Sequence, residues 1–176
     1  MKRVCVLFFI FSLSINFYAQ EIPKVEKNQF KINVLFPGFV YEHGFTTKNT
    51  LHSEFYLGFG YSNNSEKGEN WPLFPTISEQ FRHYYNLTKR ADKGKKTRYN
   101  SGNFVALNAT YYFPSFLINE NEYTSSFLLG PVWGLQRTYK GAFNIGLNGG
   151  IGYSITSGDN KIIPIANFTL GWVLGK

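Results

Sequence analysis

The sequence predicts an all-β fold, specifically an eight-stranded antiparallel up-and-down transmembrane β-barrel preceded by a signal peptide. Three observations carry this reading. Apolar and polar residues alternate with period two over most of the chain after residue 29, while helical periodicity is weak. The polar positions of that alternation hold Gly, Asn, Ser and Tyr, and the lysines gather in the connections. Aromatic residues make up 19% of the chain and charged residues 16%, against roughly 25% charged in an average soluble domain. That composition excludes intrinsic disorder, and 176 residues are one domain's worth of chain.

The N-terminus reads as a targeting signal. Lys2 and Arg3 precede a compact apolar run over 4–13, then a polar stretch ending in Phe17-Tyr18-Ala19. This is the three-part layout of a secretory signal peptide, cleaved after Ala19; an uncleaved interfacial anchor is the alternative. The run is too short to span a bilayer, which takes about 20 residues. Cleavage would remove Cys5, the one cysteine. A mature chain without cysteine excludes disulfide staples and Cys-based metal or redox chemistry. It would also remove two cations, lowering the net charge from +7 to +5. The expected organisation is a signal peptide over 1–19, a periplasmic segment over 20–29 and a barrel over 30–176.

The strands follow in order. Residues 30–45 are too long for one ordinary strand, and Pro37-Gly38 is a turn signal, so this segment reads as a hairpin. In 50–62, Leu51, Phe55, Leu57, Phe59 and Tyr61 alternate with His52, Glu54, Tyr56, Gly58 and Gly60. The run 77–86 is rougher: Glu79 and His83 fall on the side of Phe81 and Tyr85, through a bulge or by nearness to water. In 103–113, Val105, Leu107, Ala109, Tyr111 and Phe113 oppose Ala106, Asn108, Thr110 and Tyr112. The segment 127–139 is a further strand, with Gly130 and Gly134. In 143–155, Ile145, Leu147, Ile151 and Tyr153 oppose Asn144, Asn148, Gly150 and Ser154. The last run, 161–174, sets Phe168, Leu170, Trp172 and Leu174 on one face. This makes eight strands, or seven if the first hairpin is one bent strand. Even counts in outer-membrane barrels favour eight.

Composition of the two faces orients the barrel. A soluble β protein shows water a face rich in Lys, Glu and Thr; here the apolar face, with aromatics near strand ends, is expected to meet lipid. A secreted lipocalin-like barrel would invert this and is the main structural alternative. An eight-stranded interior is just wide enough for side chains to fill it, so a wide pore is not expected. By parity Lys31, Glu42, His52, Glu54 and Arg82 point inward. Buried charges must pair, so a lumenal polar network centred on Arg82 with Glu42 and Glu54 is expected. It reads as a plug, with a catalytic or proton-relay role as the alternative.

With both termini periplasmic, Lys48 and Lys140 lie in short periplasmic turns. The connections over 63–75, 114–125 and 156–160 then face outward. Trp71, Phe74, Phe116 and Tyr123 make two of them partly apolar, which reads as packing on the rim. The segment 87–102 carries Lys89, Arg90, Lys93, Lys95, Lys96 and Arg98 with one acid, Asp92. Its first part suits a short helical turn ended by Gly94. It reads as a solvated loop, or as a contact for anionic lipid headgroups or a periplasmic partner. An exported barrel does not meet nucleic acid.

On these residues the chain resembles the small outer-membrane β-barrel proteins of Bacteroidetes-type bacteria. The resemblance covers roughly 30–175. It rests on Lys31-Ile32-Asn33-Val34-Leu35, on Tyr41-Glu42, and on Gln80-Phe81-Arg82-His83-Tyr84-Tyr85-Asn86 before the basic segment. It rests also on Ser101-Gly102-Asn103-Phe104 and on the Gly130-to-Gly134 run with Pro131. It implies an eight-stranded barrel in the outer membrane of a Gram-negative bacterium, inserted by the general assembly machinery. Such barrels often end in an aromatic residue, whereas this chain ends Leu174-Gly175-Lys176, with Trp172 nearest.

No phosphate-binding loop, zinc motif or nucleophile elbow is present. His52 and Ser53 are adjacent and so point to opposite faces of a strand, which breaks a simple His–Ser pair. No cofactor or metal is expected. The expected function is a structural or interaction role in the cell envelope. The alternatives are an outer-membrane enzyme acting on lipid or another envelope substrate, and a narrow barrel binding or conducting a small apolar ligand.

Overall fold

The computed structural model describes residues 23–60, 62–64, 68–115 and 125–175. The expected signal peptide lies outside the described residues, as do Tyr61, Phe116 and Tyr123. In chain order the elements are β1 (Asn28–Asn33), β2 (Gly38–Gly44), β3 (Asn49–Phe59), β4 (Ser62–Asn64), β5 (Gly68–Asn70) and β6 (Leu73–Tyr84). Then come α1 (Leu87–Asp92), β7 (Asn103–Tyr112), β8 (Ser126–Thr138), a 3₁₀ turn (Lys140–Ala142), β9 (Phe143–Thr156) and β10 (Lys161–Gly175). No described helix is long and apolar enough to cross a membrane, a statement that leaves membrane-crossing strands untouched.

Eight antiparallel strands form one ring-like sheet. Each ring strand pairs with its neighbours in sequence, and β1 pairs with β10 as well as with β2. No ring strand is therefore left as an edge for another chain to extend. The first segment is a hairpin, with its turn at 34–37, and not one bent strand. β4 and β5 pair only with each other, as a small hairpin above the junction of β3 and β6.

Two local features depart from the sequence reading. β6 starts at Leu73, inside the connection expected over 63–75, because Pro75 faces Leu57 without breaking the β3–β6 register. The register of β6 also runs unshifted against β3 and β7, so no bulge accounts for Glu79 and His83. His83 lies near the strand end, with Nδ1 2.7 Å from Asn49 Oδ1. Glu79 sits at mid-strand on the outer face, where its carboxylate accepts the Ser53 hydroxyl at 2.7 Å.

Polarity is reversed relative to a water-soluble domain. Among the described residues, buried polar side chains outnumber buried apolar ones, and most of them point into the ring. The outer face carries Phe39, Phe55, Phe81, Leu107, Ile151 and Ile162, each at least two-fifths exposed. Aromatic residues flank this surface at both ends: Phe45, Tyr85, Tyr139 and Trp172 at one, Phe59, Tyr111 and Tyr153 at the other. Trp133 Nε1 donates to the Tyr85 hydroxyl at 2.8 Å, tying two of these rings together.

Glycines permit the tightest approaches. At Pro131 the β8–β9 ladder is interrupted, since proline has no N–H to give; Gly130 and Gly150 let the two backbones close over the gap. At the β1–β10 seam, a methyl group on Gly171 would overlap the backbone oxygen of Ile32. Gly171→Ala is therefore expected to destabilise the fold by about 1–3 kcal/mol, the usual range for overpacking. Gly175→Ala, with open space around its added carbon, should be near neutral. Urea midpoints of the two variants against wild type test this, and equal midpoints would refute it.

Candidate functional site

The interior of the ring is built in three layers. The middle layer is ionic, and all five residues assigned by parity to an inward network meet there. Glu42, fully buried, is the hub. Its Oε1 accepts the Thr50 and Tyr84 hydroxyls, each at 2.8 Å. Its Oε2 accepts Lys31 Nζ at 3.2 Å and lies 3.8 Å from both Arg82 Nη1 and His52 Nδ1. Glu54 accepts Asn33 Nδ2 at 2.5 Å and stands 3.6 Å from His52 Nε2. Two cations thus face two carboxylates, with His52 between the acids. Such a balance is what lets charges remain buried.

The expectation that Arg82 is the centre needs correction. Arg82 lies at the edge of the network: Nε donates to Gln80 Oε1 at 2.9 Å, and its guanidinium stacks 4.3 Å from the centre of the Phe104 ring. Parity fixes which way a side chain points but not its height in the ring, and height decides which carboxylate becomes the hub. Sequence reasoning also missed Gln136. Its Oε1 accepts from Lys31 at 2.7 Å and Arg82 at 3.3 Å, and its Nε2 donates to the Tyr99 carbonyl at 3.0 Å. The available signal was its parity with Gly130 and Gly134 on β8.

The second layer closes the end of the ring that holds the N-terminal segment. Val25, Tyr84, Leu87 and Phe104 pack into an apolar cluster. The basic segment folds over them as a cap and is not a free solvated loop. Leu87, Asn100 and Ser101 are buried at its two ends. Tyr99 and Asn100 turn in the left-handed region, with φ 57° and 55°, which aims the Tyr99 carbonyl at Gln136. Tyr99 N–H donates to Glu26 Oε1 at 3.0 Å, and Glu26 N–H donates to Asn100 Oδ1 at 2.7 Å. α1 is the short helical turn expected, and Gly94 follows it at φ 64°.

The cations of the cap point away from the ring. Lys89, Lys93, Lys95, Lys96 and Arg98 are exposed and Arg90 is half-buried. Several are held in place. Arg90 Nη2 donates to the Lys96 carbonyl and Lys96 Nζ to the Tyr139 carbonyl, each at 3.0 Å. Arg98 lies 4.8 Å from the centre of the Tyr99 ring.

The third layer, at the opposite end, is a cavity of about 510 Å³. Its floor is Ser78, Gln80, Asn108, Thr110 and Asn148, and aromatic rings including Tyr56 and Tyr112 line its wall up to the rim. Gln80 joins it to the ionic layer, since its amide donates to Asn108 Oδ1 at 3.0 Å while its carbonyl holds Arg82. Within the ionic layer only a gap of about 10 Å³ remains, about the room of one water molecule.

Among the described residues no group of three or more His, Cys, Asp or Glu is arranged to hold a metal ion. Comparison with known proteins finds no matching family model, curated protein or solved structure.

Proposed function

We propose that this protein is a small transmembrane β-barrel of a Gram-negative outer membrane, with a structural or interaction role in the cell envelope. The reversed polarity of its two faces carries the reading. In water, the exposed apolar belt would far exceed the patch of a few hundred Å² that soluble monomers tolerate. In lipid it is the stable arrangement, provided every backbone group is paired within the sheet. A strand of 9–11 residues spans the bilayer when tilted, a length reached by every ring strand except β1 and β2. Aromatic girdles at both ends suit the two membrane–water interfaces. The likeness to small Bacteroidetes-type barrels points the same way.

Charge supports the orientation. The connections at the capped end carry ten cations and only two acids, Glu26 and Asp92, among the described residues. On this reading that end faces the periplasm, beside the headgroups of the inner leaflet. Anionic headgroups or an acidic periplasmic partner would meet Lys89, Lys93, Lys95 and Arg98 there, each Lys or Arg contributing about 1 kcal/mol at an anionic surface. Insertion would use the general outer-membrane assembly machinery. The ionic layer and cap make the barrel a plugged one.

The test is fractionation with gel mobility. The protein is expected in the outer-membrane fraction, its unboiled form migrating differently from the boiled form. In planar bilayers the folded protein should give no stable open-channel conductance. A freely soluble periplasmic protein would overturn the membrane reading, and steady channel steps would overturn the plug. A second reading, a binding barrel, is favoured by the cavity in the outer half.

A further inference from the structure

We propose that the outer half of the ring is a binding site for an uncharged, hydroxyl-rich ligand the size of one or two sugar rings. The inference rests on the barrel reading only in making this mouth face the cell exterior.

Size comes first. A volume of about 510 Å³ lies inside the range of about 300–1,000 Å³ typical of small-molecule sites. Charge comes second. None of the residues lining the cavity is ionisable as an acid or a cation, and the four formal charges beneath it are engaged with one another. A charged ligand would lose its hydration and find no counter-charge. The site therefore selects against ions.

Polarity comes third and separates a hydroxylated ligand from an apolar one. The floor presents the amides of Gln80, Asn108 and Asn148 with the hydroxyls of Ser78 and Thr110. Amides offer both donors and an acceptor, the pairing that a hydroxyl group uses. Most of these groups bond among themselves: Ser78 to Asn108 at 3.3 Å, and Asn108 Nδ2 to Thr110 at 3.1 Å. Asn148 is the exception. Its side chain is only 6% exposed, and Oδ1 is buried without a hydrogen-bond partner in the protein. A purely apolar ligand over that oxygen would leave it unsatisfied, at about 1–3 kcal/mol. A ligand hydroxyl donating to it removes the penalty. The wall of Tyr56, Tyr112, Phe36 and Phe59 supplies flat apolar faces for the C–H side of a pyranose ring. Amide floor and aromatic wall together fit a neutral saccharide better than a hydrocarbon.

The test uses the full mature chain refolded into lipid nanodiscs and first shown to be heat-modifiable. Side-chain amide resonances of Asn148, Gln80 and Asn108 are followed while glucose, maltose and n-hexanol are titrated separately. Saturable shifts from glucose or maltose at millimolar concentration are expected, with Asn100 in the cap unmoved. Gly58→Leu should then weaken saccharide binding at least tenfold. An added carbon at Gly58 meets nothing closer than 3.5 Å, so the side chain can enter the cavity while the variant stays heat-modifiable. Saturation by hexanol alone, or by none of the three, would overturn the saccharide site and leave the barrel reading standing. Failure of the wild-type chain to give a heat-modifiable form in lipid would overturn the barrel reading itself.

Discussion

Glu42→Ala is expected to lower folding stability by about 3–5 kcal/mol, the range for removing one partner of a buried charge pair. The carboxylate is fully buried and takes hydrogen bonds from Thr50, Tyr84 and Lys31. Without it Lys31, only 3% exposed, keeps Gln136 as its hydrogen-bond partner and loses its counter-charge. Arg82 loses the carboxylate 3.8 Å from its guanidinium at the same time. The double variant Lys31→Met with Glu42→Leu should recover most of the loss, because replacing a whole buried pair by apolar residues of similar volume is often neutral. The measurement is a urea titration of the protein refolded into lipid vesicles, read by tryptophan fluorescence. A Glu42→Ala midpoint within error of wild type would show that the network contributes nothing to folding. A double variant no better than the single one would show that packing, not charge, sets the penalty.

The eight ring strands were legible because period-two alternation survives wherever two faces meet different surroundings. The run 143–155 alternates almost without exception, and in β9 Leu147, Ile151 and Tyr153 lie outside while Asn144, Asn148 and Ser154 lie inside. Inward direction was equally legible for Lys31, Glu42, His52, Glu54 and Arg82. Their order within the ring was not. Lys31 and Gln136 are 105 residues apart yet bonded, and that contact depends on the stagger of the strands around the ring, which no single strand encodes. The cap was hidden for a different reason. Composition between residues 89 and 98 is that of a solvated loop, and the anchors Leu87, Asn100 and Ser101 stand outside the basic run. Glu79 defied both explanations that its position invited. It is neither bulged nor at the strand end, and its carboxylate is held on the apolar face by Ser53, one strand away.

The second large effect concerns the outer face, and it separates lipid from water. Leu107 lies at the centre of β7, pointing outward and 56% exposed. Leu107→Arg is expected to cost about 2–4 kcal/mol in a bilayer, the range for a cation at the midplane of a barrel's lipid face. Tyr111→Arg, four residues nearer the rim on the same face, should cost only about 0–1 kcal/mol, since its side chain can reach the interface. The same pair in water predicts another pattern. Exposed substitutions away from special features stay within about 0.5 kcal/mol of neutral, with no dependence on height along the strand. Refolding both variants into vesicles and comparing urea midpoints reads the gradient directly. A steep difference between the two positions requires an apolar medium around the ring, because nothing in the protein touching Leu107 differs enough from Tyr111 to produce it. Equal, small effects at both would mean that water bathes the belt, and the membrane reading would then fall whatever the polarity of the interior.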